Sequence, residues 1–295
     1  MTLAPGQTGP LRLDELVEHG GIWHRAKEGP ASAYRRRWEE EAEEDHVRSA
    51  IAGGATADED WETLTAKVSP IWARVPRGAD LGTVLEIGPG YGRIPLYLAR
   101  ERDASWSDYV GVDISAGMLQ RLLNYRDRYD VVPDGRVHLI CASAEELPVE
   151  DDSVDVALSS AVFLHMGKGF VACALGEVAR TLKPGGTFLF DVSFPNAFNP
   201  PSLLPRLKPR RLRPPNFMKY WRRDEIERLL VESGLAAKAG GYTVEPGSYA
   251  MLPKRLGPIA VPLARRANRA AESAPASLQG LVTFLYTAYG PGLLE

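Results

Sequence analysis

The chain has 295 residues, 44% of them hydrophobic and 25% charged, which supplies a sizeable core and excludes an intrinsically disordered protein. Its 35 basic and 38 acidic side chains nearly balance, arguing against a generally nucleic-acid-binding surface. No apolar run is long enough to cross a bilayer, and no basic region followed by a continuous apolar stretch opens the chain, so the expected location is the cytoplasm.

From residue 1 to 80 the pattern predicts an N-terminal helical cover. Punctuation at Gly6, Gly9 and Pro10 gives way to charged stretches carrying Tyr34, Trp38, Ala42 and Val47. A second helix is predicted where Asp58-Glu59-Asp60 precede Trp61, Leu64, Val68, Ile71 and Trp72. Trp23, Trp38, Trp61 and Trp72 could stack on an acceptor, but an amphipathic helix needs an apolar face anyway and burial is the favoured reading.

Residues 81–194 alternate strand and helix patterns, as a doubly wound parallel α/β sheet requires. Thr83-Val84-Leu85-Glu86-Ile87 ends in Gly88-Pro89-Gly90-Tyr91-Gly92-Arg93. Glycines there permit unusual dihedrals and leave room for a ligand against the main chain, and the helix that follows offers free N–H groups. Tyr109-Val110-Gly111-Val112-Asp113 reads as a second strand ending in an acid suited to two ribose hydroxyls. Cys141-Ala142-Ser143-Ala144-Glu145-Glu146-Leu147-Pro148, a strand ending in Ser159-Ser160, and Leu182-Lys183-Pro184-Gly185-Gly186 follow in order.

This ordered series resembles the class I S-adenosylmethionine-dependent methyltransferases, particularly the small-molecule branch. The resemblance is close over 81–194 and implies a Rossmann-like, seven-stranded doubly wound sheet that binds S-adenosyl-L-methionine. Position by position it implies that Glu86, Gly88, Gly90 and Gly92 hold the methionine end, Asp113 the ribose, and Ile114 and Met118 the adenine. Ser143, Ala144, Glu145 and Ser160 complete the cofactor edge. Relatives usually carry Asp where this chain has Ser143, so the adenine amino contact would fall to a backbone donor at Ala144.

Methyl transfer from a sulfonium depends mainly on positioning, although a hydroxyl acceptor must also lose a proton. His165 is the candidate base, since its ordinary pKa suits that task and it closely follows the fourth strand; packing is the competing reading. The acceptor atom is expected to be oxygen, on a small molecule, sugar or lipid-linked compound. Transfer to carbon or nitrogen of a quinone, isoprenoid or polyketide is the alternative, and a cofactor-binding regulator without turnover is the second. Asn199-Pro200-Pro201-Ser202 looks like the tetrapeptide of amino-group methyltransferases but follows the fifth strand rather than the fourth, so it is read as a turn.

Residues 195–295 are read as the C-terminal half of the fold with acceptor-binding insertions. A helix is predicted from Asp224 to Ser233 and strands near Tyr242–Glu245 and Leu281–Tyr289. Between 206 and 223 stand eight Lys and Arg residues without an acid, and Tyr249–Gln279 adds five more; contact with an anionic membrane surface competes there with a solvated loop. RNA is less supported than either. Cys141 and Cys173 lack metal-type spacing and are expected as buried thiols. Asp191 and the Asp151-Asp152 pair lack a clear ligand set, so no metal is expected.

Overall fold

The computed structural model describes residues 9–25, 33–43, 75–130, 135–192, 221–243 and 283–289. Strands β1 (Leu16–His19) and β2 (Ile22–Arg25) form a hairpin and α1 (Ala33–Glu43) follows. The core runs β3 (Thr83–Ile87), α2 (Arg93–Arg102), β4 (Asp108–Asp113), α3 (Ala116–Arg128), β5 (Arg136–Cys141), β6 (Val154–Ser159), α4 (Lys168–Thr181) and β7 (Leu182–Val192). Helix α5 (Arg223–Glu232), β8 (Ala236–Thr243) and β9 (Thr283–Tyr289) complete it.

All nine strands join one sheet in the order β1-β2-β5-β4-β3-β6-β7-β9-β8. The seven from β5 to β8 are the expected doubly wound sheet: β5, β4, β3, β6 and β7 are parallel, and β9 is antiparallel to both β7 and β8. The other two were not expected. The N-terminal region, read as helical, sends its hairpin into the sheet, with β2 parallel to β5 through Ile22↔Leu139, Trp23↔Ile140 and His24↔Cys141. Arg12 fastens the segment before it by donating to Asp151 at 2.8 Å, and a bridge joins Leu11 to Val149.

Every residue of β3 and of β4 is buried, as parallel strands covered on both faces must be. Helix α3 buries Met118, Leu119, Leu122 and Tyr125, one stripe at helical spacing. It packs with α2 against Val84, Tyr109 and Leu158 on one face of the sheet. On the other face α4 and α5 cover Leu85, Ile87, Phe188 and Phe190. The rings of Phe188 and Phe190 stack at 4.6 Å and Phe163 meets Phe190 edge-on at 5.6 Å.

Helix α5 spans Arg223–Glu232, one residue ahead of the expected Asp224–Ser233 at each end, whereas β8 starts at Ala236, well before Tyr242. Ala236-Ala237-Lys238-Ala239-Gly240-Gly241 has little intrinsic strand preference, so pairing with β9 rather than local propensity makes it a strand. Cys141 is buried, but Cys173 is exposed on α4, against the expectation of two buried thiols. The 58–72 helix, the 199–202 turn, the basic stretch up to residue 220 and the 249–279 segment lie outside the described residues.

Trp221 ties the C-terminal half to the core. It is 1% exposed and its indole N–H donates to the Phe163 carbonyl at 3.4 Å. Trp221→Ala should therefore lower unfolding free energy by about 3–5 kcal/mol, the cost of deleting a large buried aromatic. Denaturant titration measures this, and Trp221→Phe should recover part of the loss.

Candidate active site

From β3 the chain winds outward through β4 and β5, then returns to lay β6 against the other side of β3. Loops diverge at such a reversal and leave a crevice beyond the carboxyl ends of the strands. A cavity with about 850 Å³ of open space lies there, bordered by the turns after β3, β4, β5 and β6.

The three loop glycines have different reasons to be glycine. All take positive φ (Gly88 +68°, Gly90 +55°, Gly92 +87°). A Cβ at Gly88 would lie 2.4 Å from Val162 Cγ2, and one at Gly92 would lie 2.5 Å from Leu122 Cγ; these two allow packing against the β6 turn and against α3. A Cβ at Gly90 would meet nothing within 4 Å, so the space beside it belongs to the cavity. Helix α2 opens directly behind Gly92 with no side-chain cap.

Asp113 joins the first two turns. Its Oδ2 accepts from the Gly90 N–H and its Oδ1 from the Ser115 N–H, both at 3.0 Å. The carboxylate lines the cavity while only 9% exposed, and burial pushes its pKa up to about 6 despite these two donors. Glu39 of α1 adds to the rise by charge repulsion.

Gly88, Gly90, Asp113, Ile114, Met118, Ser143, Ala144 and Ser160, all assigned to the cofactor from sequence, line this one cavity. Ser143 spends its hydroxyl locally, donating to Glu145 Oε2 and accepting from the Glu145 N–H, each at 3.3 Å. Ser160 donates to Asp191 Oδ2 and the Ala161 N–H donates to Asp191 Oδ1, both at 2.8 Å. That double contact holds Ala161 at φ +61°, a left-handed conformation rare for a residue with a side chain. Asp191 thus shapes the wall of the cavity through these two contacts. Asp151 is likewise bound to Arg12 and Arg180, and no cluster of three metal-ligating side chains occurs among the described residues.

Four assigned residues do not line the cavity. Gly92 serves the α3 contact, and Glu145 stands exposed behind Ser143. Glu86 is 1% exposed inside the sheet, where the Tyr109 hydroxyl donates to its Oε2 at 2.6 Å. His165 is not among the lining residues, and its ring meets Trp38, which is, edge-on at 5.7 Å. Conversely, Trp38, Tyr91, Arg93, Met166 and Phe170 line the cavity without having been assigned to it. Tyr91 and Arg93 had a signal in their place within the glycine turn, and the Arg93 guanidinium rests 6.0 Å from the centre of the Tyr91 ring.

This sheet order, with an acid-anchored glycine turn at the reversal, is a doubly wound α/β fold with its crevice at the switch point. Residues 85–190 match the family described as "Methyltransferase domain", so this segment is a methyltransferase domain. The chain is 34% identical over 155 residues to the glycine/sarcosine/dimethylglycine N-methyltransferase of Actinopolyspora halophila, covering 50% of this chain and 25% of that protein. It is 31% identical over 115 residues to the malonyl-[acyl-carrier protein] O-methyltransferase of a Methylovorus species, covering 38% and 37%. It spans between a quarter and a half of the curated relatives it matches. A methyltransferase solved in complex with the Haloferax volcanii Trm112 activator shares the fold at TM-score 0.56 and 21% identity, covering 88% of this chain and 99% of that one.

The cavity fits the cofactor of this class. Asp113 faces it with a carboxylate suited to a ribose diol, Ile114 and Met118 offer apolar faces for a purine, and the open side of Gly90 admits a ligand against the backbone.

Glu86 gives a pH-dependent stability. Burial raises its pKa from 4.5 to about 7, outweighing the opposing Tyr109 hydrogen bond. Above pH 7 the carboxyl is ionised in folded and unfolded chains alike, and the full burial penalty is present. As pH falls from 7 to 4.5 only the folded chain takes up the proton, so this contribution turns progressively more favourable. Glu86→Gln, neutral and of similar shape, should therefore stabilise the protein at pH 8 by up to about 3 kcal/mol and change little at pH 4.5, measured as unfolding free energy at both pH values.

Proposed function

We propose that the chain transfers a methyl group from S-adenosylmethionine to a small-molecule acceptor that enters beside Ser160, Val162, Met166 and Phe170. The observation that carries this reading is the Asp113 carboxylate, buried, pinned to Gly90 and facing the cavity. When bound, the cofactor supplies an electrophilic methyl on a sulfonium, which leaves as a neutral thioether. The residues of the chain bind and orient: Asp113 accepts from the ribose hydroxyls, Ile114 and Met118 flank the purine, and the glycine turn and the N–H groups opening α2 receive the amino-acid end. Trp38, Met166 and Phe170 keep water away from the reacting centre.

Oxygen is our preferred acceptor atom, with His165 as the group that takes the proton by way of the space beside Trp38. Likeness to an O-methyltransferase supports this chemistry. Nitrogen is the second reading, supported by likeness to the amino-acid N-methyltransferases. An amine acceptor needs no strong base, which suits an aromatic wall in which Asp113 is the one carboxylate among the described residues. Sugar or lipid-linked acceptors and contact with an anionic membrane were argued from the basic stretch, of which only Trp221, Arg222 and Arg223 are described. Among the described residues no helix is long and apolar enough to cross a membrane.

Calorimetry with S-adenosylmethionine and S-adenosylhomocysteine tests the cofactor, and isotope-labelled cofactor mixed with cell extract reveals the acceptor. Gly90→Val and Asp113→Ala should each weaken binding at least about tenfold, through an obstructed turn and the loss of hydrogen bonds to a charged group. Unchanged affinity in both variants would reject the site. Because Asp113 takes up a proton near pH 6 and ribose hydroxyls prefer the ionised form, affinity for S-adenosylhomocysteine should be level above pH 7. It should fall towards tenfold per pH unit well below 6. Asp113→Asn should flatten that profile.

A further inference from the structure

We infer that helix α1 is the roof of the transfer site, with Trp38 setting the size of alkyl group that fits beneath it and Glu39 latching it in position; this rests on the cofactor reading above. Helix α1 lies outside the matched segment 85–190, so nothing in the family assignment speaks for it.

The latch is a carboxylate placed across the start of a neighbouring helix. Glu39 Oε1 accepts from the Ala116 N–H at 2.9 Å, while Oε2 accepts from the Gly117 N–H at 3.2 Å and the Ser115 hydroxyl at 3.1 Å. These donors open α3, whose N-terminus favours an anion. Ser115 simultaneously caps α3 by accepting from the Met118 N–H at 3.1 Å, so the residue cap and the latch share one hydroxyl. A second attachment lies one helical turn on, where Arg121 Nε donates to the Ala42 carbonyl at 2.7 Å.

The crossing is close because Gly117 has no side chain. A Cβ there would lie 2.8 Å from Ala42 Cβ and 3.0 Å from Glu39 Oε2. Glycine in a first helical turn costs stability, and here that cost admits α1. The latch also connects to the ribose carboxylate: Asp113 accepts from the backbone of Ser115, the residue whose hydroxyl holds Glu39.

Trp38 is next to the latch and lines the cavity. Like Tyr91 it packs against the buried Ala42–Met118 pair on the side of α3, and it meets His165 edge-on beyond β6. The indole therefore bridges the two lips that enclose the cofactor. Among the described elements the extensive contacts of α1 are with α3, so the roof can lift without disturbing the sheet. Glu39 is a positioning residue in this arrangement, and Trp38 determines selectivity.

Two measurements on the full chain test this. The first is the release rate of S-adenosylhomocysteine by stopped-flow displacement. Glu39→Gln removes the latch charge, and Gly117→Val pushes α1 away while leaving Glu39 and Trp38 intact; each should speed release roughly three- to tenfold, the range expected for losing a charged helix cap. The second is the affinity ratio for S-adenosylethionine over S-adenosylmethionine, which a purely structural role for Trp38 would not move. Trp38→Ala should raise that ratio at least severalfold and Trp38→Phe should restore most of the discrimination. Wild-type release rates together with a wild-type ratio in the variants would overturn the inference alone. Failure of the wild-type chain to bind any of the three compounds would overturn the cofactor reading and this inference with it.

Discussion

One carboxylate holds the site in shape. Asp113 ends β4 and ties down two turns at once, the glycine turn after β3 through Gly90 and the start of α3 through Ser115. Neither turn has a hydrophobic core of its own, and the glycine turn in particular has several backbone conformations open to it. Fixing both to one side chain converts two flexible connections into a single concave surface, and it does so with a carboxylate that faces the cavity. Binding energy is therefore not spent on ordering the loop. The Asp191 contacts with Ser160 and Ala161 repeat the device on the opposite lip, where a carboxylate from β7 sets the turn after β6.

The two acids at the ends of β3 and β4 show how burial divides similar residues into different roles. Glu86 faces Tyr109 inside the sheet and has its pKa raised to about 7, while Asp113 at the surface of the crevice is raised to about 6. Repulsion from Asp113 adds to the Glu86 rise, whereas the neighbouring charge that adds to the Asp113 rise is Glu39. A bound ribose would compensate Asp113, whereas Glu86 has only the phenol. The acid that opens the glycine motif is therefore buried at a cost beneath the cradle, and the acid that follows it is the one that faces the cavity.

Much of the central fold was legible in the sequence because parallel strands buried on both faces are written as continuous apolar runs, and because glycine and acid punctuate their ends. Gly88, Gly90, Asp113, Ile114 and Met118 could be assigned from spacing and resemblance since each sits within a few residues of a strand end. What escaped depends on distant partners. Leu16–His19 and Ile22–Arg25 are too short and too polar to declare themselves as strands, and they become so by adding to β5. Trp38 reads as an ordinary amphipathic-helix aromatic until α1 is placed across α3. Glu86 fits a ligand-binding motif in one dimension, and only the position of Tyr109 on the adjacent strand turns it inward. His165 meets the ring of Trp38, a contact between residues more than a hundred positions apart that no local pattern announces.

The hairpin also separates the unit recognised by family likeness from the unit that folds. A chain shortened to begin at residue 81 would keep the glycine turn, both acids and most of the cavity wall. It would nevertheless uncover Leu139, Ile140 and Cys141 on β5, whose outward backbone groups are paired with β2 in the intact protein. A flat apolar strand with unpaired N–H and C=O groups is a template for another copy of itself. The β1–β2 hairpin thus covers an apolar edge of the core sheet, a duty that nothing in the chemistry of methyl transfer would have revealed.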